Sequence, residues 1–361
     1  MISLELSEEQ EIARSAASGL ARSSLAPAAR AADEAAQIHS STLKDAWALG
    51  IVQAIADPAF RTMEQPTVLN ALVLEELATG DATVATAIAA SVGFAKAVAE
   101  QGSNRQRDEL LPSFVSDTPR FAAVIELDAA LPENTAAKAS VTRTADGFRL
   151  EGGAPMVLLT KQSSHLLALV RYDGCDEALI VPLDTAGVRV SKIEGTLGLR
   201  GLDWASVTFN GVTVPASMRL GGSAGANVQR IRDASRIALC AMLSGLSRAV
   251  FDFALPYTKS RIVHGEAIAR KQAIAFKLAD MHVAIDAMRW MGLKAAAELD
   301  SNPAAPRSAR LAQLYASDAA MRIADEGVQV FGGHGFVRDL PLEMWYRNAR
   351  SLSVLDGLVG A

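Results

Sequence analysis

From Ser7 to about Ser116 apolar residues recur at helical spacing among alanines, leucines and glutamates, which predicts a run of helices. Ser7, followed by Glu9 and Gln10, reads as an N-cap with acceptors in the first turn. ALVLEELATG predicts a helix over 68–78 with Gly80 as its C-cap, and the small apolar residues of 84–100 suit close packing between helices. Leu111-Pro112 ends this texture. Between about Arg120 and Leu220 the pattern shortens, and strands are predicted at 121–125, 148–150, 166–171, 178–181 and 207–209. Turn formers stand between them: Asp146-Gly147, Gly152-Gly153, Asp173-Gly174 and Asn210-Gly211. This reads as a small antiparallel β domain. GGSAGAN then leads back into helix, with Ile237, Met242, Leu243, Leu246, Val250 and Phe253 on one broad apolar face. Two further helices are predicted over 267–299 and 308–331. The domains expected are 1–118, helical; 119–222, β; and 223–361, a helical bundle.

Composition narrows the picture. Half of the 361 residues are hydrophobic, enough for a sizeable core, and the net charge of −5 carries no basic excess. Nucleic acid and an anionic membrane are therefore poor partners. No uninterrupted apolar run is long enough to span a bilayer, and the acidic start MISLELSEEQ is unlike a secretory signal, so a cytoplasmic protein is expected. Cys175 and Cys240 lie far apart, and the five histidines share no ligand spacing, so no metal is expected. His334, inside GGHGF, is the one histidine beside a glycine cluster. Trp204, Trp290 and Trp345 read as core or interface aromatics. There is no Walker loop, no HExxH and no GxGxxG after a strand.

SRIVHGEAIARKQAIAFKLADM, residues 260–281, resembles the acyl-CoA dehydrogenase pattern R-x-x-F-G-x-x-I…Q-x-x-x-x-x-L-A-D/E-M, with His264 at the usual phenylalanine. QVFGGHGFVRDLPLEMWYRNAR, residues 329–350, is similar to that family's Q-x-x-G-G-x-G-[FY]…P-[VL]-E block. Weaker echoes, LVLEELATGDA and TLGLRGLDWASVTFNGVTVPA among them, extend the resemblance over nearly the whole chain. It implies a mainly α fold with a middle β domain and a carboxy-terminal four-helix bundle. It also implies FAD as cofactor, an acyl-CoA substrate from fatty acid or steroid side-chain degradation, and an electron-transferring flavoprotein as acceptor. A homo-oligomer, or a heteromer with a second chain of the family, is expected.

The residues fit a dinucleotide physically. A pyrophosphate needs a permanent fork of positive charge and close backbone approach, which Arg261 and the glycines Gly332, Gly333 and Gly335 provide. Gln272 adds a donor, and the resemblance adds Gln329 and Glu126 to the cofactor set. Asp233 and Arg236 fall where relatives contact the CoA thioester arm, although an i, i+3 Asp–Arg pair is also an ordinary helix feature. The family's base is a glutamate before a glycine; here the block reads SVLDGLVGA, so Asp356 is the candidate base. The alternative base position on the bundle's first helix holds Ser235. The flavin-packing blocks depart as well, IELDAALPE keeping only Glu126 and APMVLLTKQ placing Met156 and Leu158 where aromatic and hydroxyl groups are usual. Three readings stay open: an FAD-dependent acyl-CoA dehydrogenase, a flavin-poor non-catalytic subunit of a mixed complex, and an oxidase or monooxygenase resembling nitroalkane oxidases.

Overall fold

The computed structural model describes residues 5–127 and 139–357. Its amino-terminal part is helical: α1 (Glu8–Leu20), a wide turn at Ala21–Leu25, α2 (Ala26–Ala35), α3 (Ser40–Trp47), α4 (Ile51–Ala56), α5 (Pro66–Gly80), α6 (Ala82–Gln101) and α7 (Asn104–Leu110). Ser7 caps α1 as expected: its hydroxyl accepts from the Gln10 amide at 3.2 Å, and the Gln10 side chain accepts from the Ser7 amide at 3.0 Å. Gly80 is the last helical residue rather than the cap. A Cβ there would lie 2.6 Å from the Ala21 carbonyl, so its bareness serves the close approach of the 21–25 turn.

The cap between α5 and α6 is Asp81, whose carboxylate accepts from the Thr83 amide at 2.7 Å. Burial pushes its pKa up from 3.8 to about 6, although hydrogen bonds from Thr83 oppose the shift. The folded state then binds a proton that the unfolded chain has released, so stability falls as pH rises from about 4 through about 6. Asp81→Asn keeps the cap without the charge. It is expected to raise stability at pH 7.5 by about 1–2 kcal/mol and to flatten that pH dependence. Denaturant melts at pH 4.5 and 7.5 check this; a variant destabilised equally at both would show that the charge is not what matters.

The β domain holds two sheets. β1 (Phe121–Glu126), β4 (Ser163–Tyr172) and β5 (Cys175–Pro182) form one, in the order β1-β4-β5; β2 (Ser140–Thr144), β3 (Gly147–Leu159), β7 (Asp203–Pro215) and β6 (Val188–Lys192) form the other, in the order β2-β3-β7-β6. The expectation of an all-antiparallel domain is corrected: β1 and β4 run parallel, joined by a long crossover that includes β2 and β3 of the other sheet. Two expected turns are also corrected. Gly152-Gly153 lies inside β3 at a register shift, where a Cβ on Gly153 would meet the Val207 carbonyl at 2.3 Å. Asn210-Gly211 lies inside β7, with Gly211 at φ +63°. Asp146-Gly147 and Asp173-Gly174 do turn hairpins.

The carboxy-terminal bundle comprises α8 (Val228–Ser260), a short hairpin of β8 (Ile262–Val263) and β9 (Glu266–Ala267), α9 (Gln272–Ser301), α10 (Pro306–Phe331) and α11 (Leu342–Ser353). The hairpin delays α9 past the expected 267, because His264 (φ +54°) and Gly265 (φ +84°) form a left-handed turn pair. α8 packs on α5 through Gly245, where a Cβ would lie 2.0 Å from the Glu75 carbonyl. Contrary to the sequence reading, α6 and α8 are each long and apolar enough to cross a bilayer, but 89% and 67% of their apolar windows are buried within the protein, as core helices are.

Candidate cofactor and substrate site

Helix direction gathers the dinucleotide candidates. α8 and α10 both finish at one end of the bundle, and α9 begins there. The Arg261 amide donates to the Tyr257 carbonyl at 2.8 Å, closing α8. The Tyr257 ring stacks on Phe331 with centroids 3.9 Å apart, and Phe253 stacks on the same ring at 5.3 Å. Phe331 leads directly into Gly332. A Lys277–Glu326 ion pair fastens the start of α9 to the end of α10. Arg261, Gln272, Gln329, Gly332 and Gly333 are thus carried to one end, and all are exposed. The Arg261 guanidinium has no hydrogen-bond or ion-pair partner among the described residues. Gly332 adopts φ +58°, and a Cβ on Gly332 or Gly333 would meet nothing within 4 Å, so the glycine shelf is open to a ligand. His334 is exposed on the same shelf. A free guanidinium beside open, side-chain-free backbone suits a pyrophosphate.

The candidate base lies at the opposite end of α8. Arg236 Nε donates to Asp356 Oδ1 at 2.6 Å and its Nη2 to Oδ2 at 2.7 Å, while Arg310 approaches Oδ2 at 3.4 Å. The Arg236 hydrogen bonds hold the Asp356 carboxyl below the usual range, against partial burial that would raise it. Gly357, at φ +70°, sits so close to α8 that a Cβ would come within 2.7 Å of Ser235 Oγ. Gln313 Nε2 donates to the Leu355 carbonyl at 2.9 Å and pins the same segment. Arg310 and Gln313 escaped the sequence reading, because only folding brings α10 against residues 355–356.

Two other candidates are engaged elsewhere. Asp233 has no exposed surface: one carboxylate oxygen accepts from Gln229 at 2.7 Å, the other from the Ala305 amide at 2.8 Å just before α10. In this arrangement Asp233 presents no open face, both of its oxygens being engaged within the bundle. Glu126 accepts two hydrogen bonds from Arg232, at 2.8 and 2.6 Å, and Arg232 also pairs with Asp176. That cluster ties β1 and β5 to α8. Met156 and Leu158 are partly buried against the main core, and Leu158 pairs with Trp204 across β3 and β7. The remainder of the IELDAALPE block beyond Leu127 lies outside the described residues.

Behind Ser235, between α5, α6 and α8, is a small cavity of about 30 Å³ lined by Thr67, Asn70, Val92, Lys96, Ser235 and Ile237, among others. Lys96 is 4% exposed, pairs with Glu100 and lies 5.3 Å from the centre of the Phe60 ring. No reading of the sequence singled out Asn70 or Lys96. The available signal was a lone lysine inside the apolar run SVGFAKAVA.

Residues 7–118 match the acyl-CoA dehydrogenase N-terminal domain, and residues 226–358 the acyl-CoA dehydrogenase C-terminal domain. A probable acyl-CoA dehydrogenase of Bacillus subtilis, YngJ, is 28% identical, over 99% of this chain and 96% of its own. Cyclohexane-1-carbonyl-CoA dehydrogenase of Geobacter metallireducens is 27% identical, over 97% and 94%. The solved structure of butyryl-CoA dehydrogenase from Megasphaera elsdenii superposes with a TM-score of 0.86 at 26% identity, covering 99% of this chain and 96% of that one.

Proposed function

This chain belongs to the acyl-CoA dehydrogenase family, and from that premise we propose that it is an FAD-dependent acyl-CoA dehydrogenase converting an acyl-CoA thioester to the 2-enoyl-CoA. The observation that carries this reading is the Asp356 carboxylate, seated against α8 with a small cavity behind Ser235. Arg261, Gln272 and Gln329 would hold the phosphate and ribose oxygens of the cofactor, with Gly332 and Gly333 admitting its backbone approach. FAD, when bound, supplies the acceptor for the β-hydrogen as hydride. Asp356 takes the α-proton onto its carboxylate. Its low pKa makes it a weak base while both oxygens face Arg236, so a productive substrate draws Arg236 away from one of them.

Arg236 and Arg261 stand roughly 37 Å apart along α8, farther than one dinucleotide reaches. Each FAD is therefore completed by two subunits, and the working unit is at least a dimer. The electron-transferring flavoprotein that the family implies is the expected acceptor, in the cytoplasm.

The bidentate Arg236–Asp356 pair favours a second reading, in which this chain gives only the adenine-binding end and another chain of the family brings the base. A visible spectrum of the protein purified alone with FAD, followed by anaerobic addition of short acyl-CoAs, separates the two. Flavin bound and bleached by a thioester supports the dehydrogenase. Bleaching only after co-expression with a second family chain gives the partner role. Rapid reoxidation in air with the thioester still bound would replace dehydrogenase by oxidase.

A further inference from the structure

The cavity behind Ser235 has a mostly apolar lining, into which a few buried polar side chains are set, Thr67, Asn70 and Lys96 among them. Asn70 is 6% exposed, and its Nδ2 is buried with no hydrogen-bond partner among the described residues. An orphaned amide of this kind calls for an acceptor in the space beside it. Lys96, on the facing helix α6, carries three donors, and Glu100 is its ion-pair partner. Glu100 is also held by Arg230 at 2.7 Å, so the carboxylate that neutralises Lys96 is shared between two cations. The Asp300 carboxylate also feels the Lys96 charge, and Thr67 Oγ1, on the same wall as Asn70, is likewise buried with no partner among the described residues, so the space offers an unpaired amide and an unpaired hydroxyl. The volume, about 30 Å³, holds one or two waters and no long hydrocarbon. The cavity also adjoins the reacting position, because Ser235 lines it on one side and abuts Gly357, next to Asp356, on the other.

We propose that this cavity receives the far end of the acyl group, and that Asn70 and Lys96 select a short acyl chain ending in an oxygen acceptor, a hydroxyl or a carboxylate, over a plain alkyl chain. The inference rests on the reading of this chain as an acyl-CoA binder and adds the class of acyl group. A methyl end would leave the Asn70 amide unpaired; an oxygen end gives it an acceptor. Sites that hydrogen-bond a substrate oxygen discriminate strongly against the analogue lacking it.

The test is calorimetric titration of the FAD-loaded protein with butyryl-CoA, 4-hydroxybutyryl-CoA and succinyl-CoA. At least one oxygen-ended thioester is expected to bind about tenfold or more tighter than butyryl-CoA. Asn70→Leu, close in size, is expected to level the hydroxyl preference. Lys96→Met is expected to remove any carboxylate preference and to leave the hydroxyl preference in place. Butyryl-CoA binding as tightly as both others overturns the subsite while leaving the acyl-CoA reading intact. Failure of all three to bind overturns that reading and the subsite with it. If a variant does not fold, judged by its thermal melt, the wild-type ranking still decides.

Discussion

Asp356→Asn is expected to lower turnover of an acyl-CoA by about 10²- to 10⁴-fold with flavin content unchanged, the range lost when a positioned general base is removed. The substitution keeps the shape of the side chain and part of its contact with Arg236, so the segment pinned by Gln313 should stay in place. Rapid-mixing measurement of flavin bleaching checks it. Turnover equal to that of the parent protein would sink Asp356 as the base. The pairing with Arg236 adds a pH signature. Because Arg236 depresses the Asp356 pKa, the base remains ionised at pH values where an ordinary aspartate is already being protonated. The acid limb of kcat/KM should therefore lie below the usual carboxylate range, and Arg236→Gln should move it upward. An acid limb indifferent to Arg236 would mean that the pair opens before the chemistry.

The fold was readable because its signals are local and repetitive. Helical periodicity located the long bundle helices within a few residues, and the change of texture near Arg120 located the β domain. Several of the errors came from glycines. Gly80, Gly153 and Gly211 all looked like punctuation, yet each sits within or at the end of an element that another backbone or side chain approaches closely. Sequence shows that a glycine is present, not which neighbour requires it. The candidate residues at the bundle end, Arg261, Gln272 and Gly332, belong to continuous motifs, and the fold brings them to one end. The candidate site was illegible where it depends on partners far apart in sequence. Asp233 looked available and is spoken for by the Ala305 amide 72 residues away. Asp356 looked like a free carboxylate and is held by Arg236 across 120 residues.

Arg261→Ala should weaken FAD binding by roughly 10- to 100-fold, the effect of losing a charge-assisted hydrogen bond to phosphate. Stability should barely change, since the guanidinium is exposed. Arg261→Lys keeps the charge without the fork and should recover only part of the loss. Fluorescence titration of flavin-stripped protein measures both. Full affinity in the alanine variant would remove Arg261 from the cofactor site and leave the glycine shelf without its cation.

The length of α8 has a consequence for mixtures of damaged chains. Arg261 and Asp356 belong to opposite ends of that helix, so in a two-fold assembly they serve different cofactors. Arg261→Ala and Asp356→Asn chains would each be impaired alone. In a dimer made of one of each, both defects fall on the same site and the other site is intact. Random reassociation of equal amounts should therefore restore about a quarter of the parent activity, the share of intact sites in a symmetric pair. Two broken copies would complement one another, and a gene carrying either lesion would be rescued by the other.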